Sequence, residues 1–335
     1  MEAGRTAVTC VHCAARLAVA AWAVAGLLQS ASAEEYPSRP IQLVTSSQSG
    51  ATEGAVRAWM ACVSGEKLAN QAIVLQTKPG ANGVVAATYM RQQPNDGYTI
   101  MLGGMSNTTI TPFTFRKPPY DPEKEFEGAA MFGAASLVMV ASAQSGITNV
   151  ETLKHAAATA PKGIDVAIPS IAGAGHMLAA AVVSKLKLHA ELVSTKGEAG
   201  AITSLLGGDM PLSVVVEGTA LPQVRAGKLV PVMVFADTRL DSMAEVPTVV
   251  EALGGASLAH SAWIGIATKA GGPPEVVRAL ERWTRTCMED PVSIQGPASA
   301  GFRPRFAPAN EYARIVREDI SFWKGWIERL GISND

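Results

Sequence analysis

No uninterrupted apolar run in this sequence reaches the ~18–20 residues of a membrane-spanning helix, so no segment reads as a span. Charge of one sign is lacking too: 28 Lys and Arg face 29 Asp and Glu without a long block of either, which leaves no footprint for nucleic acid or anionic lipid. Catalytic spacings are missing: there is no G-x-S-x-G elbow, no H-E-x-x-H, no P-loop and no S-x-x-K followed by its usual partners. Gly173-Ala174-Gly175-His176 starts like a dinucleotide fingerprint but lacks the third glycine, and no cofactor is expected. Cysteine is scarce, and of the four present Cys10 and Cys13 fall within the first 33 residues. With five scattered histidines, the chain offers no metal-ligand spacing.

The start of the chain is informative. Arg5 and Arg16 precede an apolar run over 17–28, and Ala31-Ser32-Ala33 supplies a small-x-small cleavage site before Glu34. Residues 1–33 therefore read as a cleaved export signal, and the mature chain as a soluble protein of an exported compartment. Such a compartment permits Cys62 and Cys287 to pair if their Cα atoms come within about 7 Å.

The mature part exceeds one ordinary core and points to two lobes. Its 31 glycines and 20 prolines suit many short βα connections. Strand-type runs at 41–44, 73–76, 98–102, 137–140, 165–168, 190–194, 212–216, 230–235 and 263–268 alternate with helical periodicity, which argues for mainly parallel sheets covered by helices. Helices are expected near 150–159, 176–186 and 199–206, with amphipathic helices over 274–288 and 310–330 closing the chain.

Two loops, 45–52 and 169–175, each follow a strand, open a helix and are rich in Ser, Gly and Ala. Small residues admit a ligand to the backbone, and free N–H groups at a helix start suit carboxylate oxygens. One such loop in each lobe gives two helix starts that can face each other across a cleft and hold an organic dianion.

Eight blocks, in order, carry a resemblance: YPSRPIQLV from Tyr36, KPGANGVVAA from Lys78, NDGYTIMLG from Asn95, PPYDPEKEF from Pro118, LLGGDM from Leu205, ALPQVRAGKL from Ala220, VPTVVEALG from Val246 and SAWIGIA from Ser261. In these the chain resembles the substrate-binding proteins of the tripartite tricarboxylate transporter, or Bug, family. The resemblance implies an α/β, two-lobed periplasmic binding protein fold (type II-like), each lobe a mainly parallel sheet flanked by helices. It implies a signal at 1–33, one lobe from 34–136 with 259–335, and a second from 137–258. A small organic carboxylate is then the ligand, inner-membrane transporter subunits are the partners, and the protein is a periplasmic monomer, not an enzyme.

Carried over by position, the ligand loops are Ser46, Ser47, Gln48, Ser49, Gly50 and Thr52 in the first, and Ser170, Ala172, Gly173, Ala174, Gly175 and His176 in the second. Ser106 and Asn107 after the third strand are their neighbours, and Lys196 is the nearest cation. Where the family usually writes a proline-rich loop, this chain has Thr45-Ser46-Ser47-Gln48-Ser49-Gly50-Ala51-Thr52-Glu53; hydroxyls replace the prolines. Ile171, Gly173 and Ala174 leave the second loop less polar than usual, which suits an aromatic or bulkier carboxylate.

Several residues carry two readings. His176 either orients ligand or packs a helix start; Glu53 caps a helix more readily than it meets an anion. Glu217 reads as an exposed loop acid, and Trp263 as core. Presentation of the liganded protein to a sensor kinase is the alternative to delivery to a permease. A secreted hydrolase using Ser46, Ser47 or Ser170 with His176 as base is a third reading, and it requires a Ser–His hydrogen bond.

Overall fold

Short runs such as IQLVT, IVLQT and LSVVV have the β-branched, continuously apolar character of strands covered on both faces, and they become the centres of two sheets. The computed structural model describes residues 36–47, 51–254, 258–299 and 301–333. The export signal expected at 1–33, and Gln48, Ser49 and Gly50 of the first loop, lie outside the described residues.

The first sheet holds β1 (Ile41–Thr45), β2 (Ile73–Thr77), β3 (Thr99–Gly104), the first part of β4 (Phe126–Ser142), β9 (Ser261–Lys269) and β10 (Arg303–Pro308). The second holds the end of β4 with β5 (Ile164–Ile168), β6 (Ala190–Ser194), β7 (Leu212–Val216) and β8 (Leu229–Val234). Along β4 the pairing with β9 runs to Ser136, and the pairing with β7 starts at Leu137. One strand thus belongs to both sheets.

The expected parallel arrangement holds for β2-β1-β3 and for β6-β5-β7. The remaining pairs, β3 with β9 and β4 with β7, β8, β9 and β10, are antiparallel, so both sheets are mixed. The cause is the return of the chain: β4 enters the second sheet and β9 comes back alongside it, running the other way.

Eight helices of nine or more residues are described: α1 (Ala51–Gly65), α2 (Val84–Gln92), α3 (Val150–Thr159), α4 (Ala174–Leu186), α5 (Gly197–Gly207), α6 (Glu217–Arg225), α7 (Pro274–Glu289) and α8 (Ala309–Leu330). In α7 the buried positions Val276, Ala279, Leu280, Trp283 and Cys287 fall on one stripe. In α8 the stripe is Tyr312, Ile315, Val316, Asp319, Ile320, Trp323 and Ile327. An apolar core runs from Met131 and Trp263 of the first sheet through α8 to Met177 and Leu178 of α4, with Val214 of the second sheet.

Cys62 of α1 and Cys287 of α7 form a disulfide, with Cα atoms 5.8 Å apart. The Trp59 indole donates to Thr284 Oγ1 at 3.1 Å between the same two helices. A bond closing so long a loop fits an oxidising compartment. Among the described residues no helix is long and apolar enough to cross a membrane.

Candidate functional site

Four turns leave the carboxyl ends of β1, β2, β3 and β5, the place where open α/β sheets bind ligands. After β1, Ser46 and Ser47 are half-buried, and the Ser47 amide donates to Thr45 Oγ1 at 3.1 Å, a hydroxyl-closed turn. Thr52 is half-buried in the first turn of α1. There Glu53 accepts from Arg57 Nε at 2.8 Å, one helical turn on. The Lys78 amide donates to Thr45 O at 2.7 Å, which sets the β2 turn beside the β1 turn.

The β2 turn runs through four positive φ angles: Gly80 (124°), Ala81 (43°), Asn82 (48°) and Gly83 (100°). Asparagine tolerates the left-handed region better than most residues, and Gly83 is required because a Cβ there would meet Asn107 Cβ at 2.5 Å. This backbone aims the Asn82 side chain across to the second sheet. Asn82 Nδ2 donates to Thr111 Oγ1 at 2.8 Å and to Ala172 O at 3.1 Å, while its Oδ1 accepts from Ser170 Oγ at 3.4 Å.

After β3 the chain makes a wide turn, residues Ser106–Ile110. Ser106 Oγ accepts the Ala174 amide at 3.3 Å and so caps α4, whose own N-cap residue, Gly173, has no side chain to do it. Thr111 Oγ1 donates to Ala172 O at 3.1 Å. Asn107 turns back on its own loop instead. Its Oδ1 accepts the Gly104 amide at 2.8 Å, its Nδ2 donates to Leu102 O at 3.2 Å, and its carbonyl accepts from the Tyr120 hydroxyl. Its amide group holds the turn together.

The β5 turn receives these bonds. Ala172 is buried with φ of 56°, a left-handed conformation that costs a non-glycine residue about 1 kcal/mol or more. Its amide donates to His176 Nδ1 at 2.9 Å, so the imidazole is neutral with its proton on Nε2. Burial holds the His176 pKa below its ordinary 6.5. Gly173 lies against Ser170 Oγ and Gly175 against the carbonyl of Val214, each too close for a Cβ (2.4 and 2.5 Å). Ile171 is half exposed at the tip. Lys196 is exposed at the start of α5, and the Gly197 amide next to it donates to Pro169 O at 3.0 Å.

Ser106, Ser170, Ala172, Gly173, Ala174 and His176 thus come together, joined by Asn82 and Thr111, which the sequence reading did not single out. The signal for Asn82 was present in the turn Lys78-Pro79-Gly80-Ala81-Asn82-Gly83, where an asparagine stands among glycines. Glu198 was also missed. It accepts the Val216 amide at 2.9 Å and the Thr219 hydroxyl at 2.5 Å, tying the starts of α5 and α6 together; burial raises its pKa against the opposing effect of those bonds. Arg303 of β10 donates to Ser136 Oγ at 2.8 Å, where β4 leaves the first sheet.

The hydrolase reading required a Ser–His hydrogen bond. His176 Nδ1 instead accepts a backbone amide and Ser170 turns to Asn82, so the described residues hold no such pair. Glu217 accepts from the Ser242 hydroxyl at the start of α6. Trp263 is buried, with its indole donating to Asp319 Oδ2 at 2.6 Å, which is a core role. The chemistry on offer is neutral hydroxyls, amides and a helix start, suited to holding oxygen atoms.

Residues 59–332 match the tripartite tricarboxylate transporter family receptor, TctC. A UPF0065 protein of Bordetella bronchiseptica is 28% identical over 289 residues, 86% of this chain and 85% of its own. Among solved structures, Rpa4515 of R. palustris with adipate has a TM-score of 0.82 at 22% identity, covering 89% of this chain and 99% of that one. The periplasmic binding protein BugD has a TM-score of 0.79 at 23% identity, covering 89% and 99%. MatC from Rhodopseudomonas palustris with bound malate has a TM-score of 0.78 at 23% identity, covering 87% and 100%. This chain shares their fold, the two-lobed periplasmic binding protein.

Proposed function

The chain belongs to the tripartite tricarboxylate transporter receptor family, a family of solute-binding receptors, and on that premise we propose that it captures a small organic carboxylate in the periplasm and hands it to a tripartite transporter of the inner membrane. The lobes in this reading are 34–136 with 259–335, and 137–258. The observation that carries it is the set of hydrogen bonds that Asn82 and Thr111, at the carboxyl end of the first sheet, donate to Ala172 O, with the one that Ser106 Oγ accepts from the Ala174 amide. Such bonds are formed when the two sides approach and are open to exchange with ligand oxygens when they part, which is the behaviour of a hinged clamp.

The candidate donors are Ser46, Ser47, Thr52 and Ser170, with Gln48, Ser49 and Gly50 completing the first loop, and Lys196 adding positive charge at the edge. Hydrogen bonds to a charged oxygen contribute about 1.5–3 kcal/mol each, so four or five offset the cost of association and reach roughly micromolar affinity without an arginine clamp. The adipate and malate bound by Rpa4515 and MatC are aliphatic dicarboxylates, which are the first ligands to try. The exposed Ile171 gives the loop an apolar tip and keeps aromatic carboxylates in the panel.

A thermal-shift panel of adipate, malate, citrate and benzoate tests the proposal. A ligand at a hundred times its dissociation constant adds about 2.7 kcal/mol, or roughly 5 °C for a chain of this size. A carboxylate that raises the melting temperature and is recovered unchanged supports the reading; a flat panel opposes it.

A further inference from the structure

On the face of the first sheet that carries α8, glycines on three neighbouring strands stand together. Gly103 of β3 pairs directly with Gly265 of β9, and Gly128 lies on β4 beyond it. The ring of Tyr312, from the first turn of α8, lies across them. A Cβ on Gly103 would come within 2.3 Å of the Tyr312 hydroxyl, one on Gly128 within 2.4 Å of the ring, and one on Gly265 within 2.9 Å. The three bare positions make the slot that the tyrosine fills.

The hydroxyl is what needs explaining. Tyr312 is 1% exposed and its ring meets Trp263 edge-on at 5.2 Å. A buried tyrosine normally finds a hydrogen-bond partner for its O–H. This one has none among the described residues, and burial alone drives its pKa upward. The same tyrosine lines a cavity of about 520 Å³, within the ~300–1,000 Å³ of small-molecule pockets. The cavity opens to solvent, so water completes the hydroxyl until a ligand group takes its place.

Met101, Phe126, Ala267 and Val316 give the cavity an apolar wall. The exposed side chains of Glu123, Glu127 and Arg317 stand at its rim, two carboxylates against one guanidinium, which disfavours an anion. No residue of the β5 turn lines it, so it is separate from the carboxylate cleft. The two touch through one element: Asn107 and Thr108 line the cavity, while Ser106 before them caps α4.

We propose that this cavity is a second small-molecule site, which takes a compact, largely apolar, uncharged compound whose one hydrogen-bonding group meets the Tyr312 hydroxyl. The inference does not rest on the carboxylate reading of the cleft. The probe is 4-fluorophenol, a neutral ring with one hydroxyl, followed by ¹⁹F NMR line broadening on titration with the purified protein. Three variants, each checked for an unchanged melting profile, locate the binding. Tyr312→Phe keeps the ring and removes the hydroxyl, and is expected to weaken binding about fivefold. Ala313→Trp, from a half-buried position of the lining, fills the cavity and is expected to abolish binding. Asn82→Ala, in the cleft, is expected to leave it unchanged. No broadening with the parent protein overturns the proposal. So does broadening that survives Ala313→Trp or disappears with Asn82→Ala.

Discussion

The turns around Ala172 and the slot under Tyr312 treat polar groups in opposite ways. Around Ala172, Asn82, Ser106, Thr111, Ser170 and His176 satisfy one another and the backbone of the β5 turn, with no formal charge among them. Under Tyr312 a single hydroxyl sits in an apolar setting with no protein partner among the described residues. A closed network between two sheets stores the capacity to rearrange, because each bond can be traded for one to a ligand. An orphan hydroxyl stores nothing; it waits for a group from outside. In the proposed reading the first is a clamp and the second a fixed seat.

Four perturbations separate the two regions, beginning with the largest. Replacing Cys62 and Cys287 together by alanine removes a cross-link between α1 and α7, away from both sites, and is expected to cost about 4 kcal/mol of stability in urea titrations. Carboxylate affinity of the folded protein should not change. Gly265→Val drives a side chain into the Ala130 carbonyl and the Tyr312 ring, and should cost about 3 kcal/mol by the same measurement while destroying 4-fluorophenol binding. Asn82→Ala removes the donor shared by Thr111 and Ala172; about 1–2 kcal/mol, or roughly tenfold, should be lost from carboxylate affinity by calorimetry.

The smallest effect concerns His176. Its folded pKa lies below the ordinary 6.5, so the unfolded chain binds the proton more readily. The contribution of the neutral imidazole is complete above pH 6.5 and falls away as pH drops through that value toward the folded pKa. Protonation also takes the Nδ1 lone pair from the Ala172 amide. Urea titrations at pH 7.5 and 5.5 should show a loss of about 1 kcal/mol at the lower pH that His176→Gln reduces. An equal loss in both proteins would place the titrating group elsewhere.

Much of the fold was legible because strands buried on both faces announce themselves. The segments 190–194 and 212–216 coincide with β6 and β7, and 274–288 and 310–330 match α7 and α8 to within one residue. What escaped has a physical cause in each case. The first part of β4, Phe126-Glu127-Gly128-Ala129-Ala130, is poor in β-branched residues because Gly128 must admit the Tyr312 ring. β10 carries Pro304 and Pro308, which fit a strand that pairs with β4 alone. Helix α6 contains Pro222, which disguised it.

At the proposed site, residue type singled out turns that meet in the structure but not every residue of the network that joins them. Ser106 and Ser170, carried over by family position, both take part in the network. Asn107, one residue beyond Ser106, has its amide bound to the β3 turn, a difference that depends on the wide turn and not on the side chain. Asn82 and Thr111 became visible when chain segments distant in sequence met at Ala172.

The claim that these turns form a carboxylate clamp is tested most directly by titration calorimetry of adipate and malate, each against the parent protein and against Asn82→Ala. The account predicts one-to-one binding of at least one of them with roughly micromolar affinity, weakened about tenfold by the substitution. Absence of heat with both acids, or an affinity that Asn82→Ala leaves untouched, would contradict it.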